Sequence, residues 1–297
     1  MTTLDQKVTQ LRDLLASFKN VVVCFSGGVD STYLLSEAVQ VLGQHAVALT
    51  AISPSLAPEE SEAVKTLADT IGARLVLVDT YEHDDPRYAD NPNNRCYFCK
   101  TEVYGRAVEK AAHLGITQVI DGFNLDDRGD YRPGRHAAKE QGVRSPLDEI
   151  GFTKADIREA ARQQSLPVWN KPALACLSSR FPYGTGITPA RLTQVATCER
   201  VLRNLGFAVC RVRYFGSRAR IEVAPEEIVR LRDETVFSAV CADFHAAGFT
   251  EIEIDPDGYR QGALNGETFA QQGQPVSVQD ESPNHTTKSI DPQPESH

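Results

Sequence analysis

Leu4, Val8, Leu11, Leu15 and Phe18 recur at helical spacing, and the run at 21–25 that follows is apolar without a break. The first pattern is that of an amphipathic helix docking on what comes next; the second is that of a strand covered on both faces. A glycine turn then leads into a helical stretch at 31–42, and the alternation repeats. A strand is expected at 46–52, a helix at 58–71 with Pro58 in its first turn and Gly72 at its end, and a strand at 75–78. Beyond an irregular polar stretch at 84–94, the pattern predicts a helix over 100–114, a strand at 118–121, a helix at 153–164 and a short strand at 167–169. Strand and helix in alternation mean a parallel sheet, so residues 1–183 read as a doubly wound α/β domain.

From Thr188 the pattern changes. Thr188 and Pro189 begin a helix that Gly206 ends, and two alternating strands, 208–214 and 218–223, flank a Phe-Gly-Ser turn suited to a hairpin. A long helix at 225–247 and a third strand at 249–255 complete a smaller α+β domain at 184–265. The last 27 residues hold three apolar residues and four prolines. Residues 266–297 are therefore expected to be a disordered tail, because they cannot repay their ordering entropy.

Composition adds constraints. At 297 residues, 41% hydrophobic and 24% charged, the chain can bury a sizeable core. Its net charge of −9 implies no general affinity for nucleic acid or an anionic membrane. The first twenty residues carry charges throughout, and no apolar run reaches the roughly 18 residues of a membrane span, so a cytoplasmic protein is expected. Seven cysteines, odd in number and scattered, point in a reducing compartment to metal or catalytic use for some of them.

Ser26-Gly27-Gly28-Val29-Asp30-Ser31 lies between a buried strand and a helix, where backbone N–H groups and the helix dipole form an anion site. Adjacent glycines admit a phosphate closely, and Ser26 and Ser31 can donate hydroxyl hydrogen bonds. The loop lacks the lysine of a Walker motif and is not GxGxxG. Asp30 beside a phosphate makes electrostatic sense with Mg²⁺ between them, or as a carboxylate favouring the helix dipole. The segment 121–127, with Gly122, Asp126 and Asp127, falls at the carboxyl end of the fourth expected strand, where ligands gather in open α/β sheets. Its paired carboxylates suit either a metal or a solvated acidic loop.

Cys96 and Cys99 form a CxxC pair at metal-ligand spacing, placed just before a helix whose N-terminus should lower thiol pKa. Cys176 follows the last expected parallel strand, at the same carboxyl edge. Three thiolates without an obvious fourth suit a [4Fe–4S] cluster with one open iron better than a closed zinc site. A redox pair with Cys176 separate, and zinc completed by His83 or His136, stand as alternatives. Cys24, Cys198, Cys210 and Cys241 read as small core residues.

Residues 191–220 contain seven arginines and one acid, Glu199. Arg211 and Arg213 share one face of the first hairpin strand, and Arg218, Arg220 and Glu222 align on the second. Two arginines at i and i+2 make a fork for one phosphate, or a solvated face with cross-strand Arg–Glu pairs.

The hexapeptide at 26–31 resembles the PP-loop of the ATP pyrophosphatase superfamily, whose members cleave ATP between the α- and β-phosphates. Taken with DGFNLDDRGDYRPG at 121–134, the FTKADIREAA helix, NKPALACLSSRFPYG at 170–184 and VCRVRYF at 209–215, the chain from about 5 to about 265 resembles the LarE family of ATP-dependent sulfur transferases. That resemblance implies a PP-loop, HUP-like fold and the adenylation of a carboxylate of pyridinium-3,5-biscarboxylic acid mononucleotide. Sulfur then replaces an oxygen, giving a thiocarboxylate on the way to the nickel-pincer cofactor of lactate racemase. It implies ATP bound by Ser26, Gly27, Gly28, Val29, Asp30, Ser31, Gly122 and Asp126, with Asp30, Cys176 and Arg180 catalytic. The substrate would lie on Arg211, Arg213 and Glu222, and Glu199 matches a position tied to metal or subunit contacts.

In single-cysteine members the residue matching Cys176 gives up its own sulfur. The added Cys96 and Cys99 resemble the three-cysteine branch, where a [4Fe–4S] cluster carries a transferable sulfide. The resemblance also implies ATP and Mg²⁺ as cofactors, a small nucleotide substrate, no nucleic-acid or membrane partner, and a homo-oligomer, namely a hexamer. Rival readings are an iron–sulfur-dependent tRNA thiolase with a PP-loop, and a nucleotide-binding module without catalysis. The first demands a broad basic surface and the second leaves the cysteines idle.

Overall fold

Alternate side chains of the first apolar run serve two different cores. In the computed structural model, which describes residues 2–129, 133–172 and 175–260, Val21 and Val23 of strand β1 (Val21–Cys24) pack into one cluster and Val22 into another. The period of two along a strand puts successive residues on opposite faces, and here both faces are buried. Along β2 (Ala46–Ile52), Ala46 and Ala48 join the first cluster while Val47 and Leu49 join the second. With β3 (Arg74–Asp79) and β4 (Val119–Ile120) they form a wholly parallel sheet in the order β3-β2-β1-β4.

Helices α1 (Leu4–Phe18), α2 (Val29–Leu42) and α3 (Pro58–Ile71) cover the first face. After the short α4 (Pro86–Ala89), helices α5 (Arg95–His113) and α6 (Gly134–Glu140) cover the second. Helices α7 (Pro146–Ile150) and α8 (Lys154–Gln163) return to the first, which makes the sheet doubly wound. The chain steps outward from β1 to β3 and then places β4 on the other side of β1. Strand order reverses between β1 and β4, and in open α/β sheets a crevice opens at the carboxyl ends of such a pair.

A second core lies under α9 (Pro189–Asn204) and a smaller sheet. That sheet contains the antiparallel hairpin of β5 (Cys210–Phe215) and β6 (Arg218–Val223). Helices α10 (Ile228–Leu231) and α11 (Glu234–Ala246) lead to β7 (Glu251–Ile254), which pairs parallel to β6. Tyr88, Leu177 and Phe181 from the earlier part of the chain enter this core, and all the described residues belong to one compact unit.

The structure alters three expectations. Residues 167–170 turn instead of extending: Trp169 N donates to Leu166 O (3.1 Å) and Lys171 N to Val168 O (2.9 Å). Beside β4 the chain instead forms one bridge, Ile120 to Arg144. The stretch 225–247 is not one helix, because Asp233 caps a new one, accepting from Thr235 N (3.0 Å) and Val236 N (3.3 Å). Helix α5 begins at Arg95 and so absorbs both CxxC cysteines. The expected tail at 266–297 lies outside the described residues. No helix among the described residues is long and apolar enough to cross a membrane.

The hairpin is locked from within. Arg213 donates from Nε (2.9 Å) and Nη2 (2.6 Å) to the carboxylate of Glu222, and both side chains are buried. Removing one partner leaves a buried uncompensated charge, so Glu222→Ala should destabilise the protein by about 3–5 kcal/mol. Urea unfolding checks this; a loss under about 1 kcal/mol would match an exposed pair instead.

Candidate functional site

The turn between β1 and α2 requires its glycines. Gly27 has φ +71°, and a Cβ there would lie 2.8 Å from Val64 Cγ1, so backbone and space both exclude a side chain. Gly28 occupies the N-cap of α2 and no side chain caps the helix, leaving its N-terminal dipole open to an anion. Ser31 Oγ lies 3.1 Å from Ser26 Oγ, accepts from Ser26 N at 3.2 Å and donates to Gly28 O at 3.2 Å. Two hydroxyls thus face each other across the loop, with Val29 and Asp30 in the first turn behind them.

The loop after β4 lies directly on that turn. A Cβ on Gly122 would come within 2.9 Å of Ser31 N and 3.1 Å of Ser31 Cα. The neighbouring Asp121 is a brace, accepting from Tyr104 Oη (2.7 Å), Ser145 Oγ (2.7 Å) and Phe123 N (3.2 Å). Asp126 accepts from Lys154 N at 2.8 Å and so caps α8, and Asp127 lies 3.4 Å from Lys154 Nζ. Ser26 to Ser31 and Gly122 therefore come together at the switch point, while Asp126 is engaged one loop further out.

Cys96 and Cys99 lie one turn apart on α5, and Cys176 heads a 3-10 turn, Leu177–Arg180. The segment carrying Cys176 is clamped to the start of α5. Buried Asn91, held at φ +56°, donates from Nδ2 to the carbonyls of Phe181 (3.3 Å), Pro182 (2.8 Å) and Thr185 (3.1 Å). Its Oδ1 accepts from Arg95, whose Nη1 also reaches Ser178 O at 2.9 Å. Tyr88 Oη and Ser178 Oγ share a buried 2.5 Å hydrogen bond, and Leu177 N donates to Ser55 O at 2.9 Å.

The helix N-terminus does not lower the CxxC thiols as expected. Burial pushes both Cys96 and Cys99 up; charge on Cys176 adds to each, and Glu82 adds to Cys99, against the pull of Arg95 and Lys100 on Cys96. These mutual effects place all three thiols in one electrostatic neighbourhood, with Cys96 and Cys176 exposed and Cys99 half-buried. Among the described residues no three His, Cys, Asp or Glu side chains surround a single ion position. Of the other cysteines, Cys198 and Cys210 are core residues with thiols pushed up by burial to about 12 and about 11.

The arginines are largely spent on the fold. Arg180 donates from Nε (2.7 Å) and Nη2 (3.0 Å) to buried Glu199, and from Nη1 to the carbonyls of Ala175 (2.7 Å) and Cys176 (2.9 Å). Burial alone would raise the Glu199 pKa, but Arg180 outweighs it and holds the carboxyl below its usual range. Besides gripping Glu222, Arg213 donates to Ser179 O at 2.9 Å. Arg211 packs on the Tyr259 ring at 5.1 Å and, among the described residues, commits only Nη1, to Cys210 O. Its pKa is lowered by burial and then by the like charge of Arg180, so an anion placed there would gain from relieving it.

No protein-family model matches the chain. Over 267 residues it is 39% identical to the pyridinium-3,5-bisthiocarboxylic acid mononucleotide synthase of Lactiplantibacillus plantarum, covering 89% of this chain and 96% of that one. The chain belongs to this family, LarE. An uncharacterized protein of Synechocystis sp. is 45% identical over 262 residues, 88% of this chain and 98% of its own. Another, of Methanocaldococcus jannaschii, is 25% identical over 267 residues, 88% and 99% respectively.

In this LarE chain the clamp of Tyr88, Asn91, Arg95 and Ser178 escapes sequence reasoning. Its only signal is the run Asn91-Pro92-Asn93-Asn94, where an asparagine takes a left-handed conformation at little cost. Buried Glu82 carries no signal either; it accepts from Ser53 Oγ at 2.6 Å and Ser55 Oγ at 3.1 Å.

Two measurements check this geometry. Gly122→Ala forces a methyl group against the Ser31 backbone and should weaken ATP binding by about 1–3 kcal/mol, read by calorimetry; unchanged affinity would place ATP elsewhere. A raised thiol pKa means less thiolate at a given pH, so metal-free iodoacetamide labelling of Cys96 and Cys99 should still be climbing above the ordinary thiol midpoint near 8.5. Mass spectrometry should find Cys99, the less exposed, modified more slowly than Cys96.

Proposed function

We propose that this chain uses ATP to convert a carboxylate of pyridinium-3,5-biscarboxylic acid mononucleotide to a thiocarboxylate. The reading is carried by its identity over nearly the whole length to a synthase named for the bisthiocarboxylic product. The crevice supports it: an uncapped helix start and two facing hydroxyls suit the phosphates of ATP, and a segment bearing an exposed cysteine is pinned by Leu177 to the loop after β2.

A carboxylate resists nucleophiles because of its charge. Attack of its oxygen on the α-phosphorus expels pyrophosphate and leaves an acyl adenylate whose acyl group no longer carries the carboxylate charge, and a sulfur nucleophile at the acyl carbon then expels AMP together with that oxygen. The N–H groups at the start of α2, with Ser26 and Ser31, stabilise the departing charge. Asp30, a hard oxygen donor in the first turn of that helix, fits Mg²⁺ and would hold it there, where the ion would neutralise phosphate charge.

At the sulfur end the donor set is soft. Three thiols whose charges act on one another fit a [4Fe–4S] cluster, which takes soft thiolate ligands. Cys96, Cys99 and Cys176 would hold it, and when bound it would supply a transferable sulfide at the iron that no cysteine ligates. Arg180 acts here as a positioning residue, fixing the carbonyls of Ala175 and Cys176. Arg211 is the arginine with N–H groups left for the substrate phosphate, while the Arg213–Glu222 pair holds its strand.

The protein would work as a cytoplasmic homo-oligomer, a hexamer by family resemblance, on a small nucleotide. A tRNA partner is disfavoured by the net charge of −9 and by the pairing of Arg203, Arg213, Arg218 and Arg220 with acids.

Anaerobic incubation with ATP, Mg²⁺ and the dicarboxylate nucleotide should give AMP and a thiocarboxylate by mass spectrometry, with Cys176 intact in the protein; dehydroalanine at Cys176 would indicate self-sacrifice instead. Reconstituted protein should be brown with about four iron atoms per chain, and Cys176→Ala should lose both colour and product. Colourless reconstituted protein would rule the cluster out.

A further inference from the structure

A cleft of about 410 Å³ opens between the start of α3 and α9, within the size range of small-ligand sites. Ile52, Pro54, Leu56 and Leu177 give it apolar walls, and Leu177 directly follows Cys176, so the cleft borders the sulfur-bearing segment. Its charged residues differ in how they are engaged. Glu59 is shared with Arg203 at 3.4 Å and Glu62 with Lys65 at 2.8 Å. Arg200, on the α9 side, has no hydrogen bond or ion pair with any described residue. It is a guanidinium whose five N–H donors are available to a ligand.

The substrate of the proposed reaction makes a specific demand. It is a flat cationic ring with two carboxylates, of which only one reacts at a time, and a phosphate on its ribose. The cleft offers apolar walls for the ring face, the carboxylates of Glu59 and Glu62 in its lining, and a cation, Arg200, that no described residue engages. The hairpin offers a second anion contact, Arg211. The elements that carry them are linked: Glu199, the neighbour of Arg200 on α9, accepts from Val212 N, next to Arg211 on β5, at 3.1 Å.

We propose that Arg200 binds the ring carboxylate that is not reacting, and so selects a dicarboxylate nucleotide over a monocarboxylate one. This rests on the activity proposed above. A planar guanidinium holds a carboxylate through two parallel hydrogen bonds, and a site built for such a contact discriminates strongly against a ligand that lacks the group.

The test compares kcat and KM for pyridinium-3,5-biscarboxylic acid mononucleotide and for nicotinic acid mononucleotide, which carries a single ring carboxylate. The wild type, Arg200→Gln and Arg200→Lys are assayed at saturating ATP. Wild type should favour the dicarboxylate. Arg200→Gln should raise its KM for the dicarboxylate about tenfold to a hundredfold, the worth of a charged hydrogen bond, and level the two substrates. Its kcat and its KM for ATP should stay within about twofold of wild type, and Arg200→Lys should recover part of the preference. An Arg200→Gln enzyme with wild-type KM and preference, or a wild type that takes both nucleotides alike, overturns the proposal while leaving the activity standing. A wild type that makes no thiocarboxylate from the dicarboxylate overturns the activity itself.

Discussion

One buried carboxylate holds the sulfur end of this molecule together. Glu199 leaves α9 and accepts from Arg180, from Arg203 and from the backbone of β5, while the far side of the Arg180 guanidinium grips the carbonyls around Cys176. A charge so deeply buried survives only because each oxygen is matched, and removing any partner would leave the rest uncompensated. The consequence is mechanical. The small sheet, α9 and the Cys176 segment are a single piece, and Asn91 with Arg95 fastens that piece to α5.

Opposite it, the ATP end is governed by close approach of backbone. Gly27 lets the loop lie against α3, and Gly122 lets the next strand's loop lie against the first turn of α2. No side chain caps α2, so its dipole stays available to phosphate, with the hydroxyls of Ser26 and Ser31 beside it. The two ends use opposite strategies. Polar groups are saturated where a loop must be held still and left open where a ligand must be met.

Much of this was legible in the chain. The parallel sheet follows from apolar runs that alternate with capped helices, and the loop at 26–31 from its glycines and serines, since those residues have few other uses between a buried strand and a helix. The failures have equally local causes. Pro167 to Trp169 has the composition of a strand, yet Val168 satisfies its burial from within a turn. The 225–247 stretch has helical spacing throughout, but Asp233 offers a better cap than a continuation. The arginine-rich segment was the least legible, because counting charges along a sequence cannot show that Glu222 and Glu253 arrive from outside it to pair with Arg213 and Arg218. At Cys96 and Cys99 burial, which a sequence does not display, outweighs the helix N-terminus and raises both thiols.

The placement of Cys96 and Cys99 inside α5, instead of ahead of it, has a further consequence. Two sulfurs on successive turns of a 19-residue helix are set by its pitch, and their spacing is as rigid as the helix. The third rides on a loop whose position is set by side-chain tethers. The trio thus joins one spacing set by helix pitch to another set by side-chain tethers, so a substitution at Asn91 or Arg180 bears on the gap between the pair and Cys176 and not on the spacing of the pair itself.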